Sequence, residues 1–340
     1  MGILDWFKNR HAPVDPDPVS DDVVSKAVEK AVSLTNPRLK LIRSYHERLA
    51  LPVKGCVSYL NEKMLALPPA IQVCEENWAM EPVLRAFFAN AQEIPIVLGH
   101  SRNLRTFFKK FPELEHAYFV LGLTYNERHL CGLSLQGGVN QQGVTQTVVD
   151  FSIPRTRICG HTDEEVRRLL AAQSFEYLVA QAMVEIGEAR SERLELEDSR
   201  NLIRARLRLL QQQGPGLGSV FDAAPASTEQ LKLEGQLLDN ERQMEELGSS
   251  QSVLENELEC LCKVLEVPER YIRFEPTKLR LSTLNVVLDE SSTDVASDVT
   301  FTMALLSGVP KEQRAFVIGR VERSELPEAK LDIANAERFL

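Results

Sequence analysis

The chain has 340 residues, with 39 Lys plus Arg against 49 Asp plus Glu, for a formal net charge of −10. Hydrophobic residues make up 44% and charged residues 26%, a globular balance that excludes wholesale disorder, a collagen-like chain and a small disulfide-stapled fold. No stretch approaches the ~18 uninterrupted apolar residues of a bilayer-crossing helix. An acidic chain repels nucleic-acid phosphates, so nucleic acid is not an expected partner.

At the N-terminus, Ile3, Leu4, Trp6 and Phe7 share one side of a helical wheel, opposite Asp5, Lys8 and Asn9. Pro13, Pro16 and Pro18 follow among Asp15, Asp17, Asp21 and Asp22, which predicts a solvated tether. Residues 1–22 thus read as a short amphipathic element on a tether, suited equally to a partner's apolar groove and to a membrane surface. No basic region or cleavage site marks a secretory signal, and Trp6 stands where N-myristoylation requires Ser or Thr. None of the six cysteines forms a Cys-x-x-Cys pair. This points to free thiols in a reducing, bacterial-type cytoplasm, with peripheral attachment at the inner membrane face as the alternative.

Residues 23–50 carry Val24, Val28, Ala31, Val32 and Leu34 at helical spacing; Pro37 interrupts, and Leu39, Leu41, Ile42, Tyr45 and Leu49 resume. Helices are also predicted over 60–67 and 75–92, with Pro68 and Pro69 between them. Over 101–111, Leu104, Phe107, Phe108 and Phe111 alternate with Arg102, Arg105, Lys109 and Lys110, which predicts an amphipathic helix with a basic face. Strands are predicted over 117–125, 130–135 and 144–151, separated by a turn at Asn126-Glu127-Arg128 and a glycine-rich loop at 137–143. Short connections make these an antiparallel meander.

Residues 163–213 read as helix, followed by a break from Gly214 to about Ala226. A second helix is predicted over 229–266, opened by a capping-box spacing of Ser227 and Gln230 and stopped by Pro268. Its strongest feature is a seam: Leu233, Leu237, Asn240, Met244, Leu247, Gln251, Leu254, Leu258, Leu261 and Leu265 alternate four and three apart. Such a run exceeds the length expected of a coiled coil, and a polar Asn or Gln on a seam fixes register or partner. In the first helix the frame Val166, Leu170, Tyr177, Ala180, Val184 and Leu194 fits best, with Gln173, Gly187 and Ser191 also on the seam. Beyond Leu194 a shift brings in Leu202, Ala205 and Leu209. Arg200, Arg204, Arg206 and Arg208 lie near the tip opposite Glu234, Asp239, Glu241 and Glu245, an arrangement suited to interhelical ion pairs. Strand-like runs follow at 271–274, 279–288, 299–305 and 315–321, and a short helix at 327–340.

Two constellations invite chemistry. The strand end at Asp289, Ser291 and Thr293 resembles the metal-binding Asp-x-Ser-x-Thr of von Willebrand A-type domains, whose oxygen ligands hold Mg²⁺. That fold needs a long α/β stretch after the motif, and only 47 residues follow Thr293. Cys159 and His161 place a thiol near an imidazole but without a third, orienting group. No phosphate loop and no His-x-x-x-His spacing is present.

The expected fold class is α+β: a composite body of helices and antiparallel strands with a projecting antiparallel coiled-coil hairpin. The body comprises 23–160, completed by 268–340, and the hairpin comprises 162–266. The expected function is a non-enzymatic interaction or assembly protein without cofactor, docking another protein or a second copy of itself through the hairpin and the Ile3–Phe7 element. The alternatives are an enzyme or metal site at Asp289/Ser291/Thr293 or Cys159/His161, and a binder of anionic ligands or lipid surfaces through the Arg102–Lys110 face.

Overall fold

The computed structural model describes residues 20–136, 139–212, 225–246, 252–289, 292, 295–308 and 312–327. The N-terminal element, seam residues Leu247 and Gln251, and the expected C-terminal helix beyond residue 327 lie outside these. The described chain is mixed α+β. Its helices are α1 (Asp21–Thr35), α2 (Tyr45–Leu65), α3 (Pro82–Phe87), α4 (Glu93–His100), α5 (Arg102–Lys110), α6 (Asp163–Gln212), α7 (Pro225–Glu246) and α8 (Ser252–Glu266). Its strands are β1 (Ile71–Gln72), β2 (His116–Gln136), β3 (Val139–Gly160), β4 (Ile272–Ser282), β5 (Ala296–Leu306) and β6 (Glu312–Glu322). The chain divides into a sheet-bearing unit, Cys56–Glu176 with the chain from Val267, and a helical unit, Ser20–Gly55 with Tyr177–Glu266. Residues 20–55 therefore pack with the helices rather than with the body to which their sequence position pointed.

In the sheet-bearing unit the strands run in the order β3-β2-β6-β5-β4, antiparallel along that path, and β1 joins β6 in parallel. The expected meander is one long hairpin instead. Asn126, Glu127 and Arg128 do not turn but pair with Asp150, Val149 and Val148. Their polarity reflects an exposed ladder, not a chain reversal. Pro276 sits in β4, at the end of the strand order, where a missing N–H costs least.

The expected strand over 279–288 folds back on itself, with Asn285 at φ 56°, a left-handed conformation that Asn tolerates. The returning segment bonds in both directions. Val286 accepts from the Ser282 N–H at 3.0 Å and the Leu288 N–H donates to Arg280 at 2.8 Å, while Asn285 and Val287 exchange bonds of 2.9 and 2.8 Å with Val149 and Thr147 of β3. The two end strands of the sheet are thereby linked through four residues.

Phe87, Phe151, Phe301 and Tyr125 form an aromatic cluster in the core, with ring centroids 4.9 to 6.2 Å apart. At Gly319 any Cβ would sit 2.7 Å from Val73 and 2.9 Å from Phe119, so this β6 position requires glycine. Arg323 donates to the carbonyls of Leu114 and Phe111 at 2.9 and 2.7 Å while its guanidinium covers Phe108, tying the end of β6 to α5. Arg167 does the same for the end of α2, donating to Met64, Leu67 and Pro68 carbonyls.

Pro82 and Pro95 shape the helices before the sheet. The expected 75–92 helix becomes a 3-10 turn (Glu76–Ala79) and α3, which starts at Pro82; α4 follows, with Pro95 in its first turn.

In the helical unit, α2 runs unbroken through Pro52. Proline removes the N–H that would bond the Arg48 carbonyl. The Cys262 thiol donates to that carbonyl instead, at 3.8 Å. The expected 229–266 helix appears as α7 and α8, and α7 begins at Pro225, which places Ser227 inside it rather than at its cap. From Ala182 to Leu196 the partners of α6 on the two later helices run in opposite sequence order, and Arg204 reaches back to Glu241. Cys260 approaches Ala182 and Glu185, Glu257 binds Arg190, Asn240 donates to the Leu196 carbonyl at 3.0 Å, and Arg204 binds Glu241 at 2.7 Å.

Of the seam residues, Leu233, Asn240, Leu258, Leu261 and Leu265 are buried and Leu237, Met244 and Leu254 half-buried. On α8, however, Val253, Asn256, Glu257 and Cys260 line a small cavity with α6. Away from that cavity α8 meets α2 through Arg48–Glu255 and Cys262–Arg48, and Glu257 also reaches Asn36 at the start of a 3-10 turn (Pro37–Leu41), so α8 is covered on more than the α6 side.

The frame expected for the first arm is corrected. Val166 of that frame is buried and Leu170 and Tyr177 are half-buried, but beyond Tyr177 the buried positions of α6, among the described residues, are Leu178, Val179, Ala182, Ile186 and Leu207, whereas Ala180, Val184, Leu194 and Leu202 are exposed. The inward stripe also carries the half-buried Arg193 and Arg200, which hid it from a search for apolar residues. Asn240 donates to Leu196, but its Oδ1 meets no partner among the described residues. Replacing it removes a buried unsatisfied acceptor. Asn240→Leu is expected to stabilise the protein by about 1–2 kcal/mol in thermal melting; a lower melting temperature contradicts this placement.

Candidate functional site

Ile3, Leu4, Trp6 and Phe7 lie outside the described residues, as do Ser291 and Thr293. Asp289 is exposed, and its carbonyl accepts the Ser292 N–H at 3.0 Å. Among the described residues no three His, Cys, Asp or Glu side chains gather as metal ligands.

Cys159 and His161 are each held by other neighbours. Burial pushes the Cys159 thiol up to about 12, the opposite of what an activated nucleophile requires. His161 packs edge-on against Phe107 and Phe111 at 5.2 and 4.4 Å. Its N–H donates to Glu165 at 2.7 Å, and the Thr162 hydroxyl accepts the Glu165 N–H at 3.1 Å, which together start α6. The pair therefore serves packing and helix initiation.

The most extended surface feature lies on α6. Ala180, Val184, Gly187, Ser191 and Leu194 recur three and four apart, and Leu202 extends the line. At 100° per residue this stripe centres opposite Val179, Ala182 and Ile186. Val184, Leu194 and Leu202 remain 53%, 61% and 73% exposed. Small residues between them lower the surface and admit a close neighbour. Asp198 stands on the stripe itself between Leu194 and Leu202, and Glu188, Glu192 and Glu195 lie to one side of it; all four are exposed, and none lies within ion-pair distance of a cation among the described residues. The face is thus an apolar strip with an uncompensated acidic border. Its residues were visible in the sequence but were assigned to the interior, because both faces of α6 keep the same spacing.

The inward face is polar where the helices separate. Glu257 is buried, accepting from Arg190 Nε at 2.8 Å and from Asn36 Nδ2 at 2.6 Å. Breaking such a pair leaves a buried charge, so this contact fixes how α6 and α8 face each other.

The basic residues of α5, Arg102, Arg105, Lys109 and Lys110, are all exposed and, among the described residues, none pairs with a carboxylate.

Raised thiol values predict chemical inertness. Burial holds the Cys159 and Cys56 thiols near 12, so both stay protonated at about pH 8. Iodoacetamide should leave both unmodified in the folded protein and modify both in urea, as resolved by peptide mass spectrometry. Rapid labelling of folded Cys159 would restore it as a nucleophile. No family model, curated protein or solved structure matches this chain, so its functional reading rests on these physical features.

Proposed function

We propose that the protein is a non-enzymatic interaction protein. In this reading 177–212 and 225–266 form an antiparallel coiled-coil hairpin, and the outward face of α6 docks a cationic amphipathic helix of a partner protein. The observation that carries it is the second apolar stripe of α6, exposed and bordered by unpaired acids.

Helix-in-groove recognition needs apolar anchors along one helix face, which Val184, Leu194 and Leu202 supply, with Ala180 before them and Gly187 and Ser191 between the first two. The charge border selects the occupant. In an antiparallel pair of α6 helices centred between Ser191 and Glu192, Glu188 of one copy would meet Glu195 of the other. Like charges at such a border oppose association. A partner helix flanked by Lys or Arg turns the same border into attraction, steering encounter and fixing orientation.

Fluorescence anisotropy with two synthetic amphipathic helices, one of Leu and Lys and one of Leu and Glu, tests the reading. The Leu/Lys helix should bind, the Leu/Glu helix should not, and raising salt from about 0.05 to about 0.5 M should weaken binding. Val184→Glu with Leu194→Glu should reduce affinity about tenfold or more at an unchanged melting temperature, because both positions face solvent. Equal binding of the two peptides, or full binding by the variant, contradicts the proposal. A dimer in light scattering that the variant dissolves also contradicts it and makes the strip a self-association surface.

A further inference from the structure

The sheet-bearing unit carries a cleft of about 630 Å³ bordered by Trp78, Phe87, Phe151, Ile153, Leu284 and Val295. Leu284 and Val295 are 80% and 84% exposed, and Ile153 is exposed beside them. Three large apolar side chains at the mouth of one cleft are unusual for a surface whose function is only to be wet. A second depression of about 440 Å³ is bordered by His100, Ser101, Arg102, Arg155, Thr156 and Arg157. Pro154 borders both, so the apolar cleft and the basic depression are adjacent.

The wall between them is built rather than loose. The Thr156 carbonyl accepts from Asn103 Nδ2 at 2.9 Å, and the Ser101 and Thr156 hydroxyls bond each other, fastening β3 to the start of α5. Ile153 and Ile158, at φ 53° and 49°, enclose the segment 154–157. A left-handed β-branched residue costs on the order of 1–2 kcal/mol, so two of them hold this segment in a conformation it would not adopt alone. Irregular pairing with β2 occurs at both points.

The charge at the site is one-sided. Arg102, Arg155 and Arg157 are exposed, and none pairs with a carboxylate among the described residues, although the chain carries a net charge of −10. In the cleft, Arg85 donates to the Ala79 carbonyl and to the Ser297 hydroxyl, again with no acid. The two acids bordering the cleft are otherwise engaged: Glu93 accepts from the Ala89 N–H and from Asn90, and Asp150 lies 3.9 Å from Arg128.

We propose that the two depressions form one site for a single-chain amphiphile with an anionic head. The hydrocarbon chain occupies the cleft of Trp78, Phe87 and Leu284. The carboxylate or phosphate head lies on Arg102, Arg155 and Arg157, whose planar forks match oxyanions. The cleft falls within the size range of sites that enclose small ligands.

Trp78 supplies the readout. The sequence has two tryptophans, so Trp6→Phe leaves Trp78 as the sole reporter. Titrating this protein with dodecanoate, dodecyl phosphate, dodecanol and inorganic phosphate separates the terms. One or both long-chain anions should change Trp78 emission with an affinity about tenfold or more above that of dodecanol, and which of them binds identifies the head group. Arg155→Glu with Arg157→Glu should abolish this preference while leaving dodecanol binding unchanged. Leu284→Glu should weaken the anions about tenfold at an unchanged melting temperature. Should the double variant lose its cooperative melt, Arg102→Glu on the exposed face of α5 tests the same preference. Equal affinity for dodecanoate, dodecyl phosphate and dodecanol, displacement of the anions by inorganic phosphate at equal concentration, or no response of Trp78 to any of the four overturns the proposal.

Discussion

The helix α6 carries apolar residues at three- and four-residue spacing on two surfaces beyond Tyr177, and this chain buries only one of them. The helix is 50 residues long, and its stripes lie on opposite sides. Within this chain the Val179–Ala182–Ile186 stripe is buried, although Arg193 and Arg200 interrupt it, while the chemically cleaner stripe of Val184 and Leu194 is left in water. Burial of an apolar side chain is worth about 1.5–3 kcal/mol, so leaving several exposed is a standing cost. A partner that covers the outward stripe would recover that energy. Three arginines on this side are paired, Arg193 with Glu197 at 3.2 Å, Arg190 with Glu257 and Arg204 with Glu241, whereas Arg200 Nε is buried without a hydrogen-bond partner among the described residues.

The sheet-bearing unit follows a different constraint, the satisfaction of backbone groups at sheet edges. A long hairpin and an end strand carrying Pro276 would each expose a ladder edge. The four residues Asn285–Leu288 bond to both and remove much of that liability, and the same excursion presents Leu284 to solvent. The link between the end strands thus also sets Leu284 at the apolar rim of the cleft. Strain at Ile153 and Ile158 is placed where β3 carries its arginines past α5, which joins backbone geometry to the charge of the neighbouring depression.

Local signals in the sequence carried much of the fold. The α+β class, the amphipathic helix over Arg102–Lys110, the stop at Pro268 and the burial of Leu233, Asn240, Leu258, Leu261 and Leu265 all follow from periodicity and proline. Four features escaped because they are tertiary. Asn126–Arg128 has turn composition but lies in an exposed ladder, so polarity and reversal could not be told apart. Residues 20–55 contact α8 through Asn36 and Arg48, more than 200 positions away. The first-arm frame was ambiguous because a two-faced helix satisfies both frames, and only packing chooses. The cleft and the basic depression join segments near residues 80, 100, 155 and 285 and were illegible apart from the basic face of α5.

The central claim is that α6 turns Val184 and Leu194 outward and the buried Ile186, with the half-buried Ile203 further along the helix, inward. Single cysteines at Val184, Leu194, Ile186 and Ile203, alkylated for short times in the folded protein and quantified by peptide mass spectrometry, measure this directly. The account predicts fast labelling at 184 and 194 and slow labelling at 186 and 203. Protection at 184 and 194 with fast labelling at 186 and 203 would invert the helix and contradict it.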